Sequence, residues 1–191
     1  LQARMGDGPL GSEPDIVENV TYTATHNFPQ ARTSPRGFVT TMVHNAAGDV
    51  EEIHLPVVTL GQPTPQVIVQ RMTWSPEGHL LSFENGEGDL VTWDYFPHPD
   101  PRACFPSKMT VAAGSLNLET LYDWTPVGNP VSVTDPNGNT WGIATNELNQ
   151  VTRITSPAPF LYTVDIHYTA NGVPDRVDVA NVDENGAAYP N

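Results

Sequence analysis

The sequence predicts an all-β chain, an antiparallel meander of repeated β-hairpins forming a curved strip. Three observations predict it. Turn signals built on Gly, Pro and Asn return at a fixed interval, the runs between them read as strands, and helix signals are almost missing. The turns fall in pairs: SPRGF (34–38) with NAAGD (45–49), SPEGH (75–79) with NGEGD (85–89), and TPVGN (125–129) with DPNGN (135–139). A looser pair, TANGV (169–173) and VDENG (182–186), follows. The glycines Gly37 and Gly48, Gly78 and Gly88, and Gly128 and Gly138 stand ten or eleven residues apart. That step leaves about six residues for a strand, close to the usual length. An internal repeat of this kind cannot bury its apolar face alone and relies on its neighbours.

Each turn has plain chemistry. Pro presets φ at the first turn position, Gly takes the φ > 0 position, and Asn or Asp bonds to its own backbone. Between the turns, eight runs read as strands: 17–26, 38–45, 66–74, 90–96, 118–124, 129–135, 161–169 and 175–182. In the seventh, Val164, Ile166 and Tyr168 face one way and Asp165, His167 and Thr169 the other; in the eighth, Val177 and Val179 oppose Asp178. One wet face is the mark of an antiparallel sheet. The spacing fits a sandwich, a barrel or an open strip of hairpins. Only GIATNELNQ (142–150) could hold a helical turn, and it is short and rich in Asn. The organisation expected is an irregular segment over 1–16, hairpin repeats over 17–186 and a tail over 187–191. The opening residues carry no initiator Met, charged leader or apolar core, as in a piece of a longer chain.

Composition narrows the partners. The 191 residues include 22 acidic and 8 basic side chains, a net charge of −14. Such a chain repels a phosphate backbone and an anionic lipid surface, so neither nucleic acid nor membrane insertion is expected. The single Cys104 excludes an intrachain disulfide and reads as a small buried apolar residue. Hydrophobic residues are only 38% against 19 Pro and 15 Gly, which suits many short strands with frequent turns.

The stretch LYDWTPVGNPVSVTDPNGNTW (121–141) is the fullest copy of the repeat. With Tyr122-Asp123, Gly128-Asn129 and Asp135-Pro136-Asn137-Gly138-Asn139, it resembles the YD repeat of RHS (rearrangement hotspot) proteins. Weaker copies at 42–53, 72–95 and 166–179 place His44-Asn45, Trp74-Ser75 and Tyr168-Thr169 where the Tyr-Asp dipeptide stands. The family includes bacterial polymorphic toxins, the shell-forming components of insecticidal Tc toxin complexes and the animal teneurins. The resemblance implies a β-sheet strip spiralling into a hollow shell, enclosing a toxin segment in the bacterial members. It therefore implies a non-enzymatic, cofactor-free wall segment, secreted or exported to the extracellular space. Its partners would be the remainder of the shell, in the same polypeptide or in companion chains, and the enclosed toxin segment. The family's shell-closing core with its self-cleavage aspartate is not recognisable, so no autoprotease residue is carried over.

Other chemistry was weighed against this. Asp135, Asn137 and Asn139 mimic the start of a calcium loop, but Asn146 stands where the bidentate Glu belongs and Glu147 comes one residue late. The six histidines show no zinc spacing, and no G-x-S-x-G elbow is present. Trp74, Trp93, Trp124 and Trp141 could stack on sugars if exposed, which would favour a free-standing β-sandwich binding module for carbohydrate. Their place in repeat strands instead favours packing between adjacent hairpins.

Overall fold

A computed structural model of the chain describes residues 2–5, 16–56 and 67–180. They form fifteen strands and no helix. The chain divides into two compact units, Leu1–Val91 and Thr92–Asn191. The first holds β1 (Gln2–Met5), β2 (Ile16–Tyr22), β3 (Pro29–Thr33), β4 (Val39–His44), β5 (Val50–Leu55), β6 (Ile68–Trp74) and β7 (Leu80–Glu84); β8 (Leu90–Tyr95) contains the boundary. The second holds β9 (Pro106–Val111), β10 (Leu118–Trp124), β11 (Pro130–Thr134), β12 (Thr140–Thr145), β13 (Val151–Thr155), β14 (Thr163–Tyr168) and β15 (Pro174–Ala180). Within each unit every strand pairs antiparallel with its chain neighbour. The fold is thus an all-β antiparallel meander.

Register sorts the side chains onto two faces, because opposed residues share a side and the period is two. In the second unit Tyr122, Val133 and Trp141 form one cross-strand row, and Ile143, Ile154, Val164 and Val179 another. The opposite face carries Arg153, Asp165 and Asp178 in one row and His167 beside Arg176. In the first unit Met42 opposes Ile53 and Met72 opposes Phe83, while Glu52, Arg71 and Glu84 line the other side. The polar faces are ion-paired across strands: Arg71 reaches Glu52 (3.4 Å) and Glu84 (3.6 Å), and Arg153 reaches Asp165 (2.6 Å).

The apolar faces are little buried among the described residues. Among the described residues only Ala103 and Thr110 are buried, while Val177 and Val179 stand 55% and 49% exposed. A sandwich of this length would bury many large side chains between two sheets. Among the described residues the strands of each unit form one ladder, and no large side chain is fully buried.

Several sequence expectations need correction. The segment expected to be irregular over 1–16 contains β1, which pairs Gln2–Met5 with Ile16–Asn19. The helical turn expected over 142–150 is instead the end of β12 followed by a turn at 146–150. Cys104 is exposed, not buried, on the turn before β9; its neighbour Ala103 is the buried residue. The four tryptophans are half-buried, since a single layer leaves one side of every ring open. The turn expected at 182–186 and the 187–191 tail lie outside the described residues.

Candidate functional site

The repeated turn is one five-residue device. Gly37, Gly48, Gly78, Gly88, Gly128, Gly138 and Gly172 all take positive φ, between 76° and 99°. Each donates its N–H to the carbonyl three residues earlier, for example Gly128 to Thr125 (3.0 Å) and Gly138 to Asp135 (2.9 Å). The first residue then donates its N–H to the fifth, as Thr125 does to Asn129 (2.8 Å). A Ser, Thr, Asn or Asp at the first place folds its side-chain oxygen back onto the loop's amides. Sequence reading missed one copy, NELNQ (146–150), because Asn149 takes the left-handed place at φ 62° where the others use Gly.

Asp135, the first residue of the calcium-like run, is engaged by its own loop. Its Oδ1 accepts the N–H groups of Asn137 (2.9 Å) and Asn139 (2.8 Å), and its Oδ2 accepts Nδ2 of Asn139 (2.9 Å). The Asn139 amide, aided by burial-opposing backbone donors at 137–139, holds the carboxyl below its ordinary range. Asn137 lends the loop its backbone, and Pro136 sits exposed at the first corner. The carboxylate thus faces inward onto donors. Among the described residues no group of three or more metal-ligating side chains gathers.

The residue just before certain turns is equally regular. Ladders break register by one residue at Tyr22, His44, Trp74, Trp124, Thr145 and Tyr168. At three of these bulges a ring reaches across to the first residue of the preceding strand. Trp74 Nε1 donates to the Val50 carbonyl (2.8 Å), Trp124 Nε1 to that of Pro106 (2.7 Å), and the Tyr168 hydroxyl to that of Val151 (2.8 Å). Trp124-Thr125 therefore stands where His44-Asn45, Trp74-Ser75 and Tyr168-Thr169 stand. The dipeptide Tyr122-Asp123, assigned to this place from sequence, lies two residues upstream. Tyr122 stacks on Trp124 (centroids 6.3 Å apart) and Asp123 accepts from Arg102 (2.6 Å). Trp141 sits opposite Val133 on the apolar face, and Trp93 lies half-buried in β8.

Phe28 and Phe105 were missed altogether. Phe105 stacks on Trp124 (5.5 Å), and Phe28 sits between His26 (5.4 Å) and His44 (5.3 Å). Both lie in runs without alternation, so periodicity offered no signal. The loop that carries Phe105 is pinned by Arg102, which grips both oxygens of Asp100, reaches Asp123 and lies 4.0 Å over the Phe96 ring. Arg102's side chain, then its N–H, hold the Asp100 carboxyl at about 2. A folded value below the unfolded one means that this stabilisation is present above pH 3.8 and lost as pH falls through about 2. In Arg102→Gln the Asp100 titration midpoint should return towards 3.8, read by carboxyl NMR. An unchanged midpoint would show that the pair does not form.

Two further histidines pair with carboxylates: His54 with Glu52 (2.7 Å) and His167 with Asp178 (2.9 Å). No helix of the described residues is long and apolar enough to cross a membrane.

No protein-family model matches the chain, and no curated protein matches it. Solved structures do. The chain aligns over 92% of its length with the Tc holotoxin pore of Photorhabdus luminescens bearing a TccC3 mutation, at TM-score 0.68 and 19% identity. It aligns over 93% with TcdB2-TccC3-Cdc42 at TM-score 0.70 and 18% identity. TcdB2-TccC3 without its hypervariable C-terminal region gives 93%, 0.70 and 19%. This chain has the fold of a stretch of those Tc toxin chains. It spans 9 to 10% of their length. At this identity the likeness is one of fold.

Proposed function

We propose that the chain is a non-catalytic wall segment of an RHS/YD-repeat shell that encloses a toxin or effector segment outside the producing cell. The observation that carries this reading is how little the strands bury. Fifteen strands leave only Ala103 and Thr110 buried among the described residues, which suits a strip completed by neighbouring chain. The likeness to Tc toxin chains about ten times longer supports it, as does the repeated five-residue turn. In this role backbone ladders close the wall and ion-paired polar faces remain compatible with water. The turn residues Gly37, Gly48, Gly78, Gly88, Gly128 and Gly138 serve to extend the sheet rather than to bind a ligand. The partners are further shell repeats and the enclosed polypeptide.

Limited proteolysis of the native assembly tests containment. A polypeptide distinct from the repeats should survive protease while the assembly is intact and be degraded once mild denaturant opens it. If no protected polypeptide is present, the enclosing role fails while the wall fold stands.

A further inference from the structure

Each unit has two edges of turns, and they are built differently. One edge carries the turns after β2, β4 and β6 in the first unit and after β10, β12 and β14 in the second; all six follow a bulge. The ladders β3–β4, β9–β10, β11–β12 and β13–β14, which lead to the other edge, run without one.

Side chains follow the same division. Along the bulged edge, neighbouring turns touch. Phe28, ahead of β3, packs on Gly48 after β4, and Trp74 reaches back to Val50. In the second unit a Cβ at Gly128 would lie 2.7 Å from the Phe105 ring. Asn129 Nδ2 then donates to Asn149 Oδ1 in the next turn (2.6 Å), and Gln150 Nε2 donates to the Gly172 carbonyl in the one after (3.1 Å). On the other edge a Cβ at Gly37, Gly88, Gly114 or Gly138 would meet nothing within 4 Å; in the first unit, however, a Cβ at Gly86 would clash with the Ile68 side chain at the start of β6, so the contrast between edges is clean only in the second unit. Gly78 is the open exception on the bulged edge.

We propose that the second unit is fastened along one edge only, by a side-chain seam that couples adjacent turns, while the turns of its opposite edge open independently. The sheet then has a built-in line of stiffness and a line of give. The inference concerns the strip itself and stands whatever it encloses. Its physical basis is local: an interturn hydrogen bond or ring contact makes the opening of one turn cost a contact in the next, so their fluctuations become cooperative. Turns bonded only within themselves share no such term. The bulges supply the geometry, since the extra residue turns a strand-end side chain sideways towards the preceding hairpin.

Amide exchange in the full chain tests this, because Gly128, Gly138, Asn149 and Gly172 each donate one backbone N–H within their own turn and are directly comparable. Gln150→Met keeps the volume and removes the bond to Gly172. Exchange at Gly172 should rise roughly three- to tenfold, the range one net hydrogen bond allows. Asn129→Ala should do the same at Asn149. Asp135→Ala, on the other edge, should accelerate amides 137–139 by a similar factor and leave turns 112–117 and 156–162 unchanged. Protection of the β12–β13 ladder reports that each variant remains folded. Acceleration confined to turn 146–150 in Gln150→Met, or spreading to neighbouring turns in Asp135→Ala, would overturn the seam.

Discussion

Trp124→Ala is expected to destabilise the second unit by about 3 kcal/mol, towards the low end for loss of a large aromatic because the ring is half-buried. The ring joins three parts of the repeat at once. It stacks between Phe105 and Tyr122, and its Nε1 satisfies the Pro106 carbonyl at the start of β9. Trp124→Phe should restore most of the stacking and leave only the lost hydrogen bond, roughly 1 kcal/mol. Urea midpoints at constant slope would separate the two. Equal effects of Ala and Phe would mean that the hydrogen bond, not the ring, holds the junction.

Gly128→Val is expected to cost a similar amount, about 3 kcal/mol, from a β-branched residue forced to positive φ and a clash with Phe105. Gly138→Val, at φ 83° with open space around it, should cost less, about 2 kcal/mol, from a β-branched residue at left-handed backbone alone. The contrast separates backbone strain from packing at two turns of identical local shape. Equal costs at 128 and 138 would remove Phe105 from the account.

The turns were legible because their chemistry is local: a Gly at φ > 0 and an Asx side chain folded onto its own amides require nothing from the rest of the chain. The strands between them were harder. VEEIHL in β5 interrupts its alternation with paired charges, and TWGIAT in β12 carries a central Gly, so neither announced a strand. PQART in β3 and PSKMTV in β9 begin with Pro and are mostly polar. These strands form because neighbours on both sides supply ladders, a tertiary effect that propensity does not carry. The two-residue slip at Tyr122-Asp123 has a similar cause. Both Tyr122 and Trp124 are aromatic and both precede a polar residue, and only the bulge decides which one meets the turn. The seam was invisible for the same reason: Asn129, Asn149 and Gln150 read as turn punctuation until register brought successive turns side by side.

The wall reading stands or falls on whether these strands are completed by more chain. The most direct test is the intact mass of the native material, with peptide sequencing of whatever is bound to it. A wall segment should be found in a polypeptide many times 20.8 kDa, or with firmly held companion chains that carry further copies of the same turn. A lone 20.8 kDa monomer that unfolds cooperatively on heating would contradict it, because such a chain would have closed a core of its own.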